Sequence, residues 1–253
     1  MNVNFYETNR ALAEYLLFHY GEAQEILPYN FGPVEALNFP VRSVAECLDA
    51  KRLRTDARAL DLGCAVGRSS FELARHCAQV IGIDFSERFI EVASHLQRQG
   101  SITYAFVVEG DLTTPAVAVV PPEIDRQRVS FEQGDAHEIR ETLGQFDVVL
   151  MANLIDRLRE PRRALRRITK LVKPGGQLII ISPYTWLPEY TPKESWLGGF
   201  GRDGKPIKTL DTLKAILLPN FQLCLHKDLP FLIREHARKF QWCVAEASVW
   251  ARR

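Results

Sequence analysis

The sequence has little cysteine and none of the spacings that mark a metal site or a disulfide framework. Its 253 residues include five cysteines, an odd number, and no two of them form a Cys-x-x-Cys pair. These are Cys47, Cys64, Cys77, Cys224 and Cys243. This pattern argues against a disulfide-rich or zinc-bound fold and predicts a reducing, cytoplasmic location.

The chain also lacks an excess of charge and any long apolar run. Its 32 Lys and Arg against 31 Asp and Glu give a formal net charge of +1. Such a balance argues against a protein that coats nucleic acid or an acidic membrane. No stretch is apolar enough to span a bilayer, and Glu7, Arg10 and Glu14 interrupt the N-terminal segment where a signal peptide would be apolar. We therefore expect neither nucleic acid nor a membrane as a partner.

What the sequence does contain is a regular alternation of strand and helix patterns. Length and composition, with 46% apolar and 25% charged residues, suit one globular α/β domain covering residues 1–253. The predicted strands, in chain order, are "RALDLG", "QVIGID", "RVSFEQGD", "QFDVVLMAN" and "QLIIISP". The helices between them are "RSSFELARHC", "SERFIEVASHLQRQG", with Ser86 as N-cap and Gly100 as stop, and "EPRRALRRITKLVKPGG". This alternation predicts a parallel sheet, closed by a C-terminal hairpin with a turn near Arg234–Lys239.

Three segments fall outside that alternation. Residues 1–45 form an N-terminal cap with a helix from about Asn4 to Tyr20, in which Leu12, Tyr15, Leu16 and His19 share a face. Residues 101–126 are an insertion that ends in Pro121 and Pro122, and residues 184–208 are a lid rich in aromatics, proline and glycine. The basic residues between Arg157 and Lys173 fall on one helical face, which indicates a solvated surface rather than a nucleic-acid site.

A ligand site is predicted where the first strand meets its helix. Asp61, Gly63 and Gly67 lie at this turn, and Asp84 closes the second strand. In an open α/β sheet, ligands bind at the carboxyl ends of strands, where such an acid can accept from ribose hydroxyls. Dinucleotide enzymes share this arrangement, but their G-x-G-x-x-G fingerprint lacks its middle glycine here, because the run is Gly63-Cys-Ala-Val-Gly67.

Four motifs in order resemble the class I S-adenosylmethionine-dependent methyltransferase family. They are the Asp61–Gly67 turn, Asp84, "GDA" ending in Ala136, and "KPGG" before the fifth strand, and the resemblance covers residues 58–183. It implies a three-layer, Rossmann-like, mostly parallel sheet of seven strands, with the N-terminal helical cap and the lid after strand 5. It also implies a cofactor site formed by Asp61, Gly63, Cys64, Ala65, Gly67, Asp84, Phe85, Asp135, Ala136 and Asn153.

Within that implied site, Gly63 and its loop hold the methionine part, Asp84 holds the ribose, and Asp135 with Ala136 holds the adenine. Ala65 departs from the family, in which many members have a second glycine. A methyl group is tolerated there if φ is negative.

Methyl transfer from a sulfonium is a direct in-line displacement that depends on positioning and needs no metal. Asn153 lies in "ANLI", which is not the N-P-P-Y motif used on flipped bases or protein amides. The catalytic candidates are Tyr6, His137 and Asn153. We expect the acceptor to contact Tyr6, Tyr29, Phe31, Arg42, Tyr184, Trp186 and Arg202. The two arginines are candidates for pairing with a carboxylate, and Glu7 or Glu189 for pairing with an ammonium group.

A closer resemblance extends over nearly the whole chain. "YETNRALAEYLLFHYG", "NFPVR", "DLGCAVGRSSFELAR" and "GFGRDGKP" resemble the methyltransferase module of ovothiol biosynthesis, the 4-mercaptohistidine (5-thiohistidine) N1-methyltransferases. The resemblance implies a small amino-acid substrate whose imidazole is methylated to give ovothiol A. It also implies a stand-alone version of the module, with an iron-dependent sulfoxide synthase as functional partner. Two alternatives stay open: a methyltransferase for another small amine, thiol or carboxylate, and a non-catalytic S-adenosylmethionine-binding protein.

Overall fold

A computed structural model describes residues 5–253, and its centre is a sheet of seven strands. The strands in chain order are β1 Arg58–Leu62, β2 Gln79–Asp84, β3 Ser101–Glu109, β4 Leu112–Val119, β5 Val129–Gln133, β6 Phe146–Ala152, β7 Val172–Ser182, β8 Phe200–Arg202, β9 Lys205–Ile207, β10 Phe221–His236 and β11 Lys239–Arg252. The sheet order is β10-β11-β7-β6-β1-β2-β5. In this sheet β11 runs in the opposite direction to the other six strands. The predicted mostly parallel seven-stranded sheet is confirmed.

Helices cover both faces of this sheet, which gives three layers. They are α1 Asn9–Tyr20, α2 Ala23–Ile26, α3 Phe39–Ala45, α4 Arg68–Leu73, α5 Glu87–Gln99, α6 Pro161–Leu171 and α7 Thr209–Leu217. Core residues of α1, α3, α4 and α5 pack on one face, and those of α6 and α7 pack on the other. Because both faces are covered, the central strands are apolar at nearly every position. None of the helices within residues 5–253 is long and apolar enough to cross a membrane.

Local capping explains where two helices begin. Helix α5 starts after Ser86, whose Oγ accepts the N–H of Phe89 at 3.2 Å, and it stops at Gly100 in the left-handed conformation, as predicted. Helix α1 starts later than predicted, because the Oγ1 of Thr8 accepts the N–H of Ala11 at 3.1 Å and fixes the N-cap there. The predicted start at Asn4 lies outside the described residues.

The predicted end of the basic helix is wrong. Helix α6 ends at Leu171, and the "KPGG" segment is already part of β7. The solvated basic face of α6 is confirmed, since Arg162, Arg166 and Lys170 are exposed while Leu165 and Ile168 are buried.

The insertion at residues 101–126 forms the β3–β4 hairpin, which packs against α1 and the long C-terminal hairpin β10–β11. At the tip of that C-terminal hairpin, the N–H of Ala237 donates to the carbonyl of Val108 at 3.0 Å. The Tyr29 hydroxyl donates to the carbonyl of Ala237 at 2.7 Å. These contacts tie the N-terminal cap to the edge of the fold away from β1.

Candidate functional site

A cavity of about 500 Å³ opens at the carboxyl ends of β1, β2, β5 and β6. Its floor is the loop after β1 together with the acids that end β2 and follow β5, and α1 forms a wall. Parallel strands end at the same edge of a sheet, so the topology brings together residues that are far apart in sequence.

The loop after β1 holds unusual backbone conformations. Gly63 and Ala65 line the cavity with φ of +74° and +47°. The condition of a negative φ at Ala65 is therefore not met. The N–H of Ala65 donates to Asp84 Oδ2 at 2.9 Å, which holds the left-handed conformation in place. Cys64 also lines the cavity and is buried.

Gly67 does not line the cavity, which corrects its place in the predicted cofactor site. It precedes α4 with φ of +87°, and a Cβ there would lie 2.5 Å from Phe131 Cζ. A glycine is needed at position 67 because of this positive φ and because α4 packs closely on the sheet, rather than for contact with a ligand.

Asp84 faces the middle of the cavity floor and is held by backbone N–H groups. Oδ2 accepts from Ala65 and Oδ1 accepts from Ser86, both at 2.9 Å. Burial raises the pKa of Asp84 although these two hydrogen bonds favour the charged form. The carboxylate is thereby fixed in orientation, and Phe85 beside it is exposed on the rim of the cavity.

Asp61 reaches the same cavity from inside β1. It is 1% exposed, and its Oδ2 accepts from the Ser70 hydroxyl at 2.6 Å. Burial raises its pKa to about 7; the hydrogen bond from Ser70 opposes the shift, and the nearby charge of Asp84 adds to it.

His137 lines the cavity, but its ring is engaged on both sides. Nδ1 lies 2.7 Å from Asp135 Oδ1, and Nε2 accepts the backbone N–H of Glu160 at 3.1 Å. The lone pair that a general base needs is therefore already used to join the loop after β5 to the start of α6. This arrangement argues against the predicted catalytic role of His137.

Asp135 Oδ1 accepts from the backbone N–H of His137 as well, at 2.8 Å. Burial opposes ionisation of Asp135, but these hydrogen bonds outweigh it and keep its pKa below the ordinary value. Asp135 and Ala136 both line the cavity, as the sequence predicts.

Asn153 follows β6 and lines the cavity in a left-handed conformation with φ of +53°. Its backbone N–H donates to the carbonyl of Ile181 at 2.8 Å. Among the described residues, nothing hydrogen-bonds its buried Oδ1. An unpaired buried amide oxygen costs about 1–3 kcal/mol, so it is a candidate for contact with a bound molecule.

Aromatic rings and one arginine line the side of the cavity beyond Asp84. Tyr6 contacts Tyr15, Phe89 and Tyr190, with ring centroids 6.0, 6.1 and 6.4 Å apart. The Arg157 guanidinium stacks 4.8 Å from the centre of the Tyr190 ring, and its Nη1 pairs with Oδ2 of the buried Asp156 at 3.1 Å. Burial opposes its charge, but Asp156 and, less strongly, Tyr6 and Tyr15 raise the pKa of Arg157. We call this group, Tyr6, Tyr15, Phe89, Arg157 and Tyr190, the aromatic wall.

Of the seven residues predicted to contact the acceptor, Tyr6 lines the cavity, and so does Glu189, a candidate for pairing with an ammonium group. Tyr29 and Phe31 stack on each other at 5.1 Å, away from it, because the Tyr29 hydroxyl is bound to Ala237. Arg42 pairs with Glu46 at 2.6 Å and donates to the carbonyl of Pro230 at 3.0 Å. The predicted acceptor contacts of Tyr29, Phe31 and Arg42 are not supported by this arrangement.

The three predicted acceptor residues of the 184–208 segment also make their contacts outside the cavity. Tyr184 donates its hydroxyl to Glu246 Oε1 at 2.8 Å. Trp186 is 8% exposed and donates Nε1–H to Thr209 Oγ1 at 3.0 Å. Arg202 is exposed on β8, where its guanidinium lies 5.6 Å from the Phe200 ring. Of the predicted lid, Glu189 and Tyr190 line the cavity.

Tyr15, His19 and Arg157 are among the lining residues that the sequence reasoning missed. The sequence pattern predicts that Tyr15 and His19 share one face of α1, and in the structure this face forms a wall of the cavity. Arg157 follows closely on the end of β6, and its position at the carboxyl edge of the sheet was the available signal.

Two family profiles, each described as a methyltransferase domain, match residues 60–180 and 123–248. Ubiquinone biosynthesis O-methyltransferase of Pseudomonas aeruginosa PAO1 is 27% identical over 151 residues, 60% of this chain and 53% of that protein. The same enzyme of Coxiella burnetii RSA 493 is 26% identical over 119 residues, 47% of this chain and 40% of its own length. The chain thus spans about half the length, or less, of the curated relatives it matches.

Solved structures share the fold. The N-methyltransferase NodS of Bradyrhizobium japonicum WM9, in complex with S-adenosylhomocysteine, has a TM-score of 0.56 at 16% identity, over 97% of this chain and 98% of that chain. Magnesium protoporphyrin IX methyltransferase of Synechocystis PCC 6803, with bound S-adenosylmethionine, has a TM-score of 0.54 at 15% identity, over 99% and 100% of the two chains.

Proposed function

We propose that this chain, an S-adenosylmethionine-dependent methyltransferase with a class I domain, methylates an imidazole nitrogen of 4-mercaptohistidine to form ovothiol A. Bound S-adenosylmethionine supplies an electrophilic methyl group on a sulfonium. The residues of the chain then have to hold the donor, align the acceptor and exclude water. An iron-dependent sulfoxide synthase would supply the sulfur-bearing substrate in this proposal.

The cavity floor fits the cofactor. Asp84, fixed by two backbone N–H groups, can accept from ribose hydroxyls. Asp135 uses Oδ1 for its bonds to His137, which leaves Oδ2 for the adenine amino group. The left-handed turn at Gly63 and Ala65 brings the backbone close to the methionine part.

The aromatic wall is the observation that supports a small planar acceptor with a carboxylate. Arg157 can pair with the carboxylate of an amino acid, and the rings of Tyr6, Phe89 and Tyr190 can flank an imidazole. Arg157 takes the part that the sequence reasoning gave to Arg42 and Arg202. Asn153 Oδ1 can accept from an N–H of the acceptor.

This proposal requires no basic side chain. A neutral imidazole already carries a lone pair on one ring nitrogen, and that nitrogen is the nucleophile. The engagement of both His137 nitrogens is consistent with a reaction governed by alignment.

The test is incubation of the purified chain with S-adenosylmethionine and 4-mercaptohistidine, followed by mass spectrometry. We expect a product heavier by one methyl group, with NMR placing the methyl on a ring nitrogen. Histidine without sulfur is the matched control and should react at least tenfold more slowly. Methylation of the sulfur, or equal turnover of histidine, would contradict the proposal.

Oxygen methylation is the second candidate, favoured by the similarity to the ubiquinone biosynthesis O-methyltransferases. A catechol is planar and could also lie against the aromatic wall, but it has no carboxylate for Arg157. Parallel incubation with a catechol separates the two: turnover of catechol without turnover of 4-mercaptohistidine would favour oxygen.

A further inference from the structure

His19 is a buried polar residue of the cavity wall that the site described above does not use. It lies in the last turn of α1 and lines the cavity. Its ring contacts Tyr15 and Phe18, with centroids 5.9 and 5.3 Å away. Within residues 5–253 its buried Nδ1 has no hydrogen-bond partner. A buried nitrogen without a hydrogen-bond partner costs free energy. A ligand that forms a hydrogen bond with Nδ1 of His19 therefore binds more tightly.

The neighbouring residue shows which corner of the cavity His19 faces. The Tyr20 hydroxyl donates to the carbonyl of Val66 at 2.8 Å, which holds the end of α1 against the loop after β1. Ala65 of that loop and Ser69 of α4 line the same cavity. His19 therefore belongs to the β1 end of the floor.

The order of the strands indicates which part of the cofactor reaches this corner. β2 lies between β1 and β5, so Asp84 is between the β1 loop and Asp135. With the adenine at Asp135 and the ribose at Asp84, the amino-acid end of the cofactor extends to the β1 loop. The aromatic wall, where the acceptor is proposed to bind, includes Tyr15, one turn earlier in α1 than His19, and Tyr15 contacts Tyr6 and Phe89.

The protonation state of His19 suits a hydrogen bond to an anion. Burial, and secondarily the positive charge of Arg68, lower the pKa of His19 to about 3, so the ring is neutral and carries one N–H. Arg68 itself is paired with Glu72. A neutral N–H donor can bind a carboxylate without the cost of burying a cation.

We infer that His19 is a cofactor-binding residue whose Nδ1–H donates to the carboxylate of the methionine part of S-adenosylmethionine. This inference rests on the cofactor placement proposed above and is independent of the identity of the acceptor.

Calorimetry with two ligands tests it. S-adenosylhomocysteine carries the carboxylate, and its decarboxylated analogue, S-adenosyl-3-thiopropylamine, keeps the amine but lacks that group. For His19→Leu we expect at least tenfold weaker binding of S-adenosylhomocysteine and a change of less than twofold for the analogue. His19→Asn, whose amide N–H lies near the position of Nδ1, should retain most of the affinity.

Two results would overturn the inference. Equal loss of both ligands in a variant that melts cooperatively would show that His19 only supports the wall. Unchanged binding of S-adenosylhomocysteine, whether or not acceptor KM rises, would remove His19 from the cofactor site.

If His19→Leu does not fold, wild-type protein with 15N-labelled histidine decides the question. The His19 ring nitrogens should shift on addition of S-adenosylhomocysteine and stay near their unliganded positions with the decarboxylated analogue. The same shift with both ligands would contradict a carboxylate contact.

Discussion

Ala65 and Asp84 are joined by a hydrogen bond of 2.9 Å from the backbone N–H of Ala65 to Oδ2. This bond links the loop after β1 to the acid that ends β2. One carboxylate therefore holds the shape of the loop and also faces the place proposed for the ribose. The loop and the acid form one unit, and a change at either residue is expected to reach the other.

The first prediction concerns that carboxylate. Asp84→Ala should weaken binding of S-adenosylhomocysteine more than about tenfold, which corresponds to roughly 1.4 kcal/mol, because it removes the proposed ribose contact and the hydrogen bond that holds the loop. Calorimetry measures the change. Glu87→Gln is the matched control, since Glu87 is an exposed acid at the start of α5 whose side chain does not line the cavity. Unchanged affinity in the alanine variant would exclude Asp84 from the site.

The second prediction concerns the left-handed backbone at Ala65, with φ of +47°. An L-residue in this conformation is strained by about 1–2 kcal/mol, whereas glycine is not. Ala65→Gly should therefore leave the free energy of unfolding unchanged or raise it by up to about 1 kcal/mol, after the entropy cost of glycine in the unfolded chain is subtracted.

The control for Ala65→Gly is the same substitution at Ala215, an exposed residue inside α7. It should lower the free energy of unfolding by about 1 kcal/mol. Urea unfolding compares the two variants. Equal destabilisation at both positions would mean that Ala65 is not strained in solution.

The third prediction is a pH dependence set by Asp61. Burial raises its pKa to about 7 in the folded protein, from about 3.9 in an unfolded chain. The folded state then binds more protons than the unfolded state between these values. The contribution of Asp61 to the free energy of unfolding is therefore fully present below about pH 4, and it is lost as the pH rises to about 7.

Asp61→Asn removes the titrating group. The free energy of unfolding of the variant should therefore rise relative to that of the wild type as the pH increases from 4 to 7. Urea unfolding of the ligand-free protein across this range measures the difference. Asp56→Asn, at an exposed acid paired with Arg54 on the surface, should keep the wild-type slope. An identical slope in all three proteins would show that Asp61 is charged throughout.

The fourth prediction compares the roles of Arg157 and Arg42 in binding the acceptor. Arg157→Gln should raise acceptor KM at least tenfold, because the guanidinium of the aromatic wall would no longer pair with the carboxylate. Affinity for S-adenosylhomocysteine should change less than twofold. Arg42→Gln removes an arginine that pairs with Glu46 outside the cavity, so it should leave acceptor KM unchanged. Steady-state kinetics with the acceptor identified by mass spectrometry compares KM in the two variants. The reverse pattern would assign carboxylate binding to Arg42 instead.

The fold and several residues of the cavity floor could be predicted from the sequence because their signals are local or follow from topology. Ser86 and Gly100 cap α5 through contacts within a few residues. Asp84 and Asp135 end up together because both follow parallel strands that end at one edge of the sheet.

The acceptor side could not be predicted in the same way, because distant partners decide it. The direction of Tyr184 depends on its own left-handed φ of +53° and on Glu246, 62 residues away. The engagement of His137 depends on the backbone N–H of Glu160 at the start of α6, which no spacing in the sequence reveals. Composition identified an aromatic segment but not the direction of its rings.

The last prediction concerns Trp186, which the sequence assigned to the acceptor and the structure packs beneath α7. Trp186→Phe loses the 3.0 Å bond from Nε1 to Thr209 and part of a buried ring, so the free energy of unfolding should fall by about 1–3 kcal/mol. Acceptor KM should stay within twofold of the wild type. Trp242→Phe, at a ring that is 58% exposed on β11, is the control and should change stability by less than about 0.5 kcal/mol. If Trp186→Phe instead raises acceptor KM while stability is unchanged, the indole must turn toward the cavity when the acceptor binds.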